Sequence, residues 1–203
     1  MSLLVTDGVP IRTKFPDGER LADRLPAPQI VIPRVPQRED AWCYAACAEM
    51  VVNYCFRDVL GFIDQCEAVT LIKGQGGIDC CAPKPPTACT KSGCKKEQIG
   101  VIFLHFGVVF KGSDTGEQIG AISLAELTDE VVKAQCLVEV IVDWAGSQSS
   151  HAVIIAGVID DWVFVIDPLP MNVYGGWEPY NFVRSGFGQG KWDRTWLGLK
   201  RRK

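Results

Sequence analysis

Histidine is scarce in this 203-residue sequence, which has two, His105 and His151. A histidine-rich metal centre is excluded, and the choice of an imidazole base is narrow. No HExxH, GxGxxG, Walker A or EF-hand pattern occurs, so zincin, dinucleotide, phosphate-loop and calcium-loop chemistry lack support. Long apolar runs are also missing. The longest, 152–158 and 162–166, are strand-sized and far below a bilayer's needs. No signal-peptide core follows the short apolar start, because Asp7, Arg12, Lys14, Asp17, Glu19 and Arg20 come too soon. Release or delivery by a signal-independent route is expected; residence in the cytoplasm or prior removal of a signal are the alternatives. Surplus positive charge is absent at a net -3, which argues against a nucleic-acid partner. The basic tail Lys200, Arg201, Arg202 and Lys203 reads as a solvated end.

What the chain does have is cysteine, nine in all, five of them between Cys66 and Cys94 among Gly74, Gly76, Gly77, Pro83, Pro85 and Pro86. A segment so poor in apolar side chains gains little from burial, so a covalent staple is expected there in an oxidising setting. Nine is odd, and one nucleophile plus eight others would account for it. Zinc on Cys66, Cys80, Cys89 and Cys94 is the competing reading, weakened by the absence of any Cys-x-x-Cys pair.

At 47% hydrophobic and 22% charged, the chain can bury one domain's core. Residues 1–36, with six prolines, read as an irregular arm in which 30–32 could form an edge strand. Residues 37–203 read as one α+β domain: a helical lobe over about 37–107 and a β-rich lobe over about 108–199. Helices are expected over 41–55 with Asp40 as N-cap, over 59–70, over 94–105, and from the Ser123/Glu126 capping box to about Gln135. Residues 73–92 read as a loop. Strands are expected over 108–110, 137–143, 151–159, 162–167 and 196–199, with Asp160-Asp161 turning a hairpin.

Three residues in this pattern suggest nucleophilic catalysis. With Asp40 as cap, Cys43 is the third residue of its helix, where free N–H groups and the helix dipole favour a thiolate. Cys47, a turn deeper, suits a core or disulfide role. His105 closes an apolar helix beside Phe103 and Phe106, whereas His151 opens a strand after the polar run 147–150. Asp167 ends the neighbouring hairpin strand, where it could fix the tautomer of His151.

The stretches Gln37-Arg38-Glu39-Asp40-Ala41-Trp42-Cys43-Tyr44-Ala45-Ala46-Cys47, Ser150-His151-Ala152-Val153 and Ile166-Asp167-Pro168 resemble the papain-like cysteine peptidase superfamily. The likeness is to bacterial members akin to bacteriocin-processing peptidases and avirulence effector proteases. It implies a papain-like fold with the active site between the lobes. It also implies a protein or peptide substrate, no cofactor or metal, and Cys43, His151 and Asp167 as a triad. By the same resemblance Gln37 would lend its amide to an oxyanion hole and point into the cleft. Two departures stand out: Tyr44 replaces the usual Trp after the nucleophile, and Asp167 replaces the papain-type Asn. A deamidase or transglutaminase on the same scaffold, or a binding or toxin module with structural cysteines, are the other readings. The arm could then be an inhibitory segment or a strap along the β lobe near 29–32. The resemblance leaves the oligomeric state open.

Overall fold

The computed structural model describes residues 5–6, 9–10, 25–58, 63–74, 76–91, 93–112 and 117–202. Two short pieces, β1 (Val5–Thr6) and β2 (Val9–Pro10), pair antiparallel. The chain then builds a group of helices on one face of an antiparallel sheet.

The central helix α1 (Cys43–Cys55) is buried along most of its length, at Tyr44, Ala45, Ala46, Cys47, Ala48, Met50, Val51 and Val52. Its alanines let it lie close against the sheet, and a helix apolar on several faces belongs in a core. Helix α2 (Gln65–Lys73) starts later than the expected 59–70, because Asp64 and Glu67 form a capping box there; residues 59–62 lie outside the described ones. The expected loop 73–92 contains a one-turn helix, α3 (Thr87–Thr90). Helix α4 (Glu97–His105) turns Ile99, Ile102 and Phe103 inward as expected, and leaves His105 exposed and edge-on to Phe106.

After β3 (Val108–Val109) and β4 (Glu117–Ile119), Ser123 and Glu126 cap α5 (Leu124–Thr128), which continues as a π-helical turn, Asp129–Lys133. Then come β5 (Val138–Trp144), β6 (Ser150–Ile159), β7 (Trp162–Ile166), β8 (Gly176–Pro179), α6 (Tyr180–Arg184), β9 (Gly190–Trp196) and β10 (Lys200–Arg201). The main sheet runs β4-β9-β5-β6-β7-β8, every pair antiparallel, and β10 pairs with β3. Strands β6 and β7 form the expected hairpin, with Asp160 at φ 51° in its turn. Strands β4, β8 and β10 have no counterpart among the expected elements, and the strand expected over 196–199 does not form: Trp196 ends β9 and 197–199 link it to β10. One apolar cluster joins α1, α2 and α4 to β5, β6, β7 and β9.

The expected edge strand near 29–32 does not form. Residues 25–36 instead cross β6 where it outruns β5, whose pairing stops at Val138 and Ile155. There the Ile30 N–H donates to the Ala156 carbonyl (3.0 Å), and the Gln29 amide clamps Val158, accepting from its N–H at 2.7 Å and donating to its carbonyl at 3.1 Å. Pro28 and Pro33 lack N–H donors, so no ladder can continue. Gly157 makes the crossing fit: a Cβ there would lie 2.9 Å from Pro28 Cβ and 3.0 Å from Phe164 Cβ.

The cysteine-rich segment holds two disulfides, Cys66–Cys81 and Cys80–Cys89. They remove the zinc alternative, since three of its four ligands are spent. Among the described residues, no group of three His, Cys, Asp or Glu side chains could hold a metal ion, and no helix is long and apolar enough to cross a membrane.

Candidate active site

The expected site begins with a correction. Asp40 does not cap α1; the cap position is Trp42, with no side-chain bond, and Cys43 is the first helical residue instead of the third. The cause lies upstream. The Gln37 side-chain NH₂ donates to the carbonyls of Glu39 and Asp40, both at 2.9 Å, and the Trp42 N–H donates to Glu39 O at 3.0 Å. This turn delays the helix, and the Trp42 indole, donating to Cys89 O at 2.7 Å, anchors it to the disulfide-bonded segment. Cys43 therefore sits at the helix end itself, where backbone N–H groups are unpaired and the dipole is most positive.

A second expectation also changes. Gln37 is buried and does not line the cleft. Its two amide hydrogens are committed to the turn, and its Oε1 is buried without a partner. To serve an oxyanion, the amide would have to release one of those carbonyls.

Cys43, His151 and Asp167 are brought together. His151 and Asp167 come from the ends of β6 and the strand beside it; His151 Nε2 and Asp167 Oδ1 are 2.7 Å apart, both residues buried. Asp167 also accepts from the N–H groups of Leu169 and Tyr174, each at 2.9 Å, which fixes the carboxylate on both oxygens. The remaining ring nitrogen of His151 is left for the Cys43 thiol, which hydrogen-bonds the ring. Burial alone would raise the thiol's pKa, but the bond to His151, the imidazolium charge and the N–H groups of Ala152 and Tyr44 outweigh it, and the net shift is downward. Burial likewise opposes a charged His151, yet the bonds to Asp167 and Cys43 push it up to about 9. Asp167 is lowered despite burial, through His151 and the Tyr174 N–H. Both shifts favour a thiolate facing an imidazolium.

Cys47 sits one turn deeper, fully buried, with its thiol held well above the usual range by burial and then by nearby Glu139. It remains a neutral core thiol. Sequence reasoning passed over Glu139, whose carboxyl is buried without a partner and pushed well above the usual carboxylate range by that burial and by Cys43. An acid amid the apolar run 138–142 was its visible signal. It also passed over Trp144, whose ring lies near-parallel to His151 (15°) with centroids 6.2 Å apart, and Tyr174, whose ring is 6.5 Å away. No local pattern marks Tyr174.

Cys43, His151 and Trp144 open onto a cleft of about 530 Å³ between the helices and the sheet. Cys43, Tyr44 and Cys94 line it from the helical side, and Trp144, Ser149 and His151 from the sheet side. Across it Lys96, just before α4, bonds Asp143 of β5 and Asp193 of β9 at 2.7 Å each. Burial opposes ionisation of Asp193, but Lys96 and Lys191 bring it down to about 2.

The peptidase domain of Streptococcus ComA, a bi-functional ABC transporter of a quorum sensing pathway, matches with a TM-score of 0.53 at 12% identity, over 84% of this chain and 98% of that one. A Bacillus anthracis protein assigned as a C39-like peptidase matches with a TM-score of 0.53 at 17% identity, over 88% of this chain and 100% of that one. The chain has the fold of C39 peptidase domains. That C39-type scaffold is α+β and papain-like, as the sequence resemblance implied. No protein-family model matches the sequence, and no curated protein does.

Proposed function

We propose that this C39-fold chain is a cysteine peptidase that hydrolyses peptide bonds through Cys43, His151 and Asp167. The observation that carries the reading is the half-buried Cys43 thiol at the start of α1, lining the cleft and bonded by His151, which Asp167 holds at 2.7 Å; that bond also lowers the thiol's pKa. A structural cysteine in a core shows the opposite behaviour, as Cys47 does. Cys43 is also a free thiol, which disfavours the non-catalytic module.

In this mechanism the Cys43 thiolate attacks a peptide carbonyl held in the cleft. The backbone N–H of Cys43, first in α1 and without an intrahelical partner, stabilises the developing oxyanion. His151 then protonates the leaving amine, becomes neutral, and takes a proton from the water that hydrolyses the thioester. Asp167 keeps the ring oriented and steadies the imidazolium. Gln37 acts as a positioning residue that sets the turn before Cys43, and its amide joins the oxyanion only on leaving that turn. The substrate is a protein or peptide. The two disulfides favour work in an oxidising compartment, in keeping with a secreted effector or a processing protease.

The test is cleavage of a fluorogenic peptide library by the full chain, with ammonia release from glutamine peptides measured in parallel. Peptide cleavage lost in Cys43→Ala supports the reading. Ammonia release without cleavage would replace it with a deamidase, and cleavage retained in Cys43→Ala would end it.

A further inference from the structure

Five cysteines are free: Cys43, Cys47, Cys55, Cys94 and Cys136. Of these, Cys43 and Cys94 line the cleft, and the segments that carry them run side by side. A Cβ added at Gly93 would lie 4.0 Å from the Ala41 carbonyl, and the Trp42 indole bonds the Cys89 carbonyl, so Cys89 and Gly93 both approach the residues just before Cys43. The Cys94 segment is held in place on its outer side too, where Lys73 Nζ donates to the Gly93 carbonyl at 2.6 Å. The same segment is tied by Cys80–Cys89 to a second disulfide, so the chain carries its knot under conditions in which an unprotected thiol pair also oxidises.

We propose that Cys94 is a resolving thiol for Cys43, and that a small-molecule disulfide of the glutathione class closes the two into a reversible Cys43–Cys94 bond that switches the peptidase off. The inference rests on the peptidase reading for its consequence, though not for the bond itself. In the first step the Cys43 thiolate attacks oxidised glutathione, forming a Cys43–glutathione disulfide and releasing one glutathione thiolate. In the second Cys94 gives up its proton to the medium and its thiolate displaces the other glutathione as a thiolate, which takes up a proton in turn. One oxidised glutathione becomes two reduced ones, and two protein thiols become one disulfide. Only Cys43 starts as a thiolate. Burial, then the charge of Cys43, hold the Cys94 thiol well above its usual range, so it waits protonated and does not compete for substrate.

The experiment uses the full chain, reduced with glutathione under conditions in which peptide mapping shows both knot disulfides intact. It is then exposed to oxidised glutathione, and mapped again while hydrolysis of the fluorogenic peptide is followed. Expected are a cross-linked Cys43–Cys94 peptide, a fall in hydrolysis of about tenfold or more, and recovery with a dithiol. Cys94→Ser should instead stop at a Cys43–glutathione adduct. A wild-type chain that accumulates the adduct, or keeps both thiols alkylatable, overturns the inference. If the reduced chain cleaves nothing, the peptidase reading fails on its own, and the cross-link is still decided by the map.

Discussion

Asn at position 167 isolates the charge of the third residue. In Asp167→Asn one orientation keeps an oxygen toward His151 and the Leu169 N–H, but turns an NH₂ toward the Tyr174 N–H. A charged hydrogen bond is worth about 1.5–3 kcal/mol, which corresponds to ~1–2 pH units in His151 and ~10–150-fold in rate. His151 stands at about 9 in the folded chain. The profile of kcat/KM should rise as Cys43 loses its proton and fall as His151 loses its own near 9. In the variant the descending limb should move to roughly 7–8, and the plateau should drop by ~10–150-fold. The orphaned Tyr174 N–H costs about 1–3 kcal/mol, or roughly 2–12 °C in Tm for a chain this size. The ion pair also gives stability a pH dependence. His151 binds its proton more tightly folded than unfolded, so its contribution is complete below 6.5 and disappears as pH passes about 9. A variant with an unmoved alkaline limb and an undiminished plateau would refute the role given to Asp167.

Gln37→Ala should lower Tm and kcat together, the loss of two hydrogen bonds costing about 1–3 kcal/mol, as followed by thermal melts and steady-state kinetics. A fall in kcat with Tm unchanged would instead make Gln37 a direct oxyanion donor. Gly157→Ala should destabilise the fold by about 1–3 kcal/mol in urea titrations, because the new methyl meets Pro28 and Phe164 at 2.9 and 3.0 Å. A chain beginning at Val35 should lose Tm and activity together, since it lacks the Gln29 clamp and buried Ile30. A rise in activity on truncation would show an inhibitory arm.

The parts of the fold legible in the sequence were those with a strong local pattern. The apolar run of β6 and β7, the Asp160-Asp161 turn and the Ser123/Glu126 box each declared themselves because neighbouring residues determine them. Strands β4 and β8 did not, being short and carrying Glu117, Gln118, Glu178 and Pro179. Their place is set by pairing with β9 and β7, which no local window contains. The site divides in the same way. Cys43, His151 and Asp167 could be chosen from residue type and position at element ends. The start of α1 could not, because it depends on the Gln37 amide reaching forward to two carbonyls and on Trp42 bonding Cys89, 47 residues away. The pairing of Cys66 with Cys81 and of Cys80 with Cys89 was equally out of reach, since adjacent Cys80 and Cys81 allow either exchange until the backbone is fixed.

The account depends most on a thiolate at Cys43 maintained by His151. The rate of iodoacetamide alkylation at each cysteine, mapped by mass spectrometry from pH 5 to 9 in the wild type and in His151→Ala, tests it directly. The account predicts that Cys43 reacts first and does so well below the pH at which Cys47, Cys55, Cys94 and Cys136 begin to react. In His151→Ala its reaction should shift to higher pH and slow toward that of the other free thiols. A Cys43 that reacts no earlier than its neighbours, or at the same rate without His151, would contradict it.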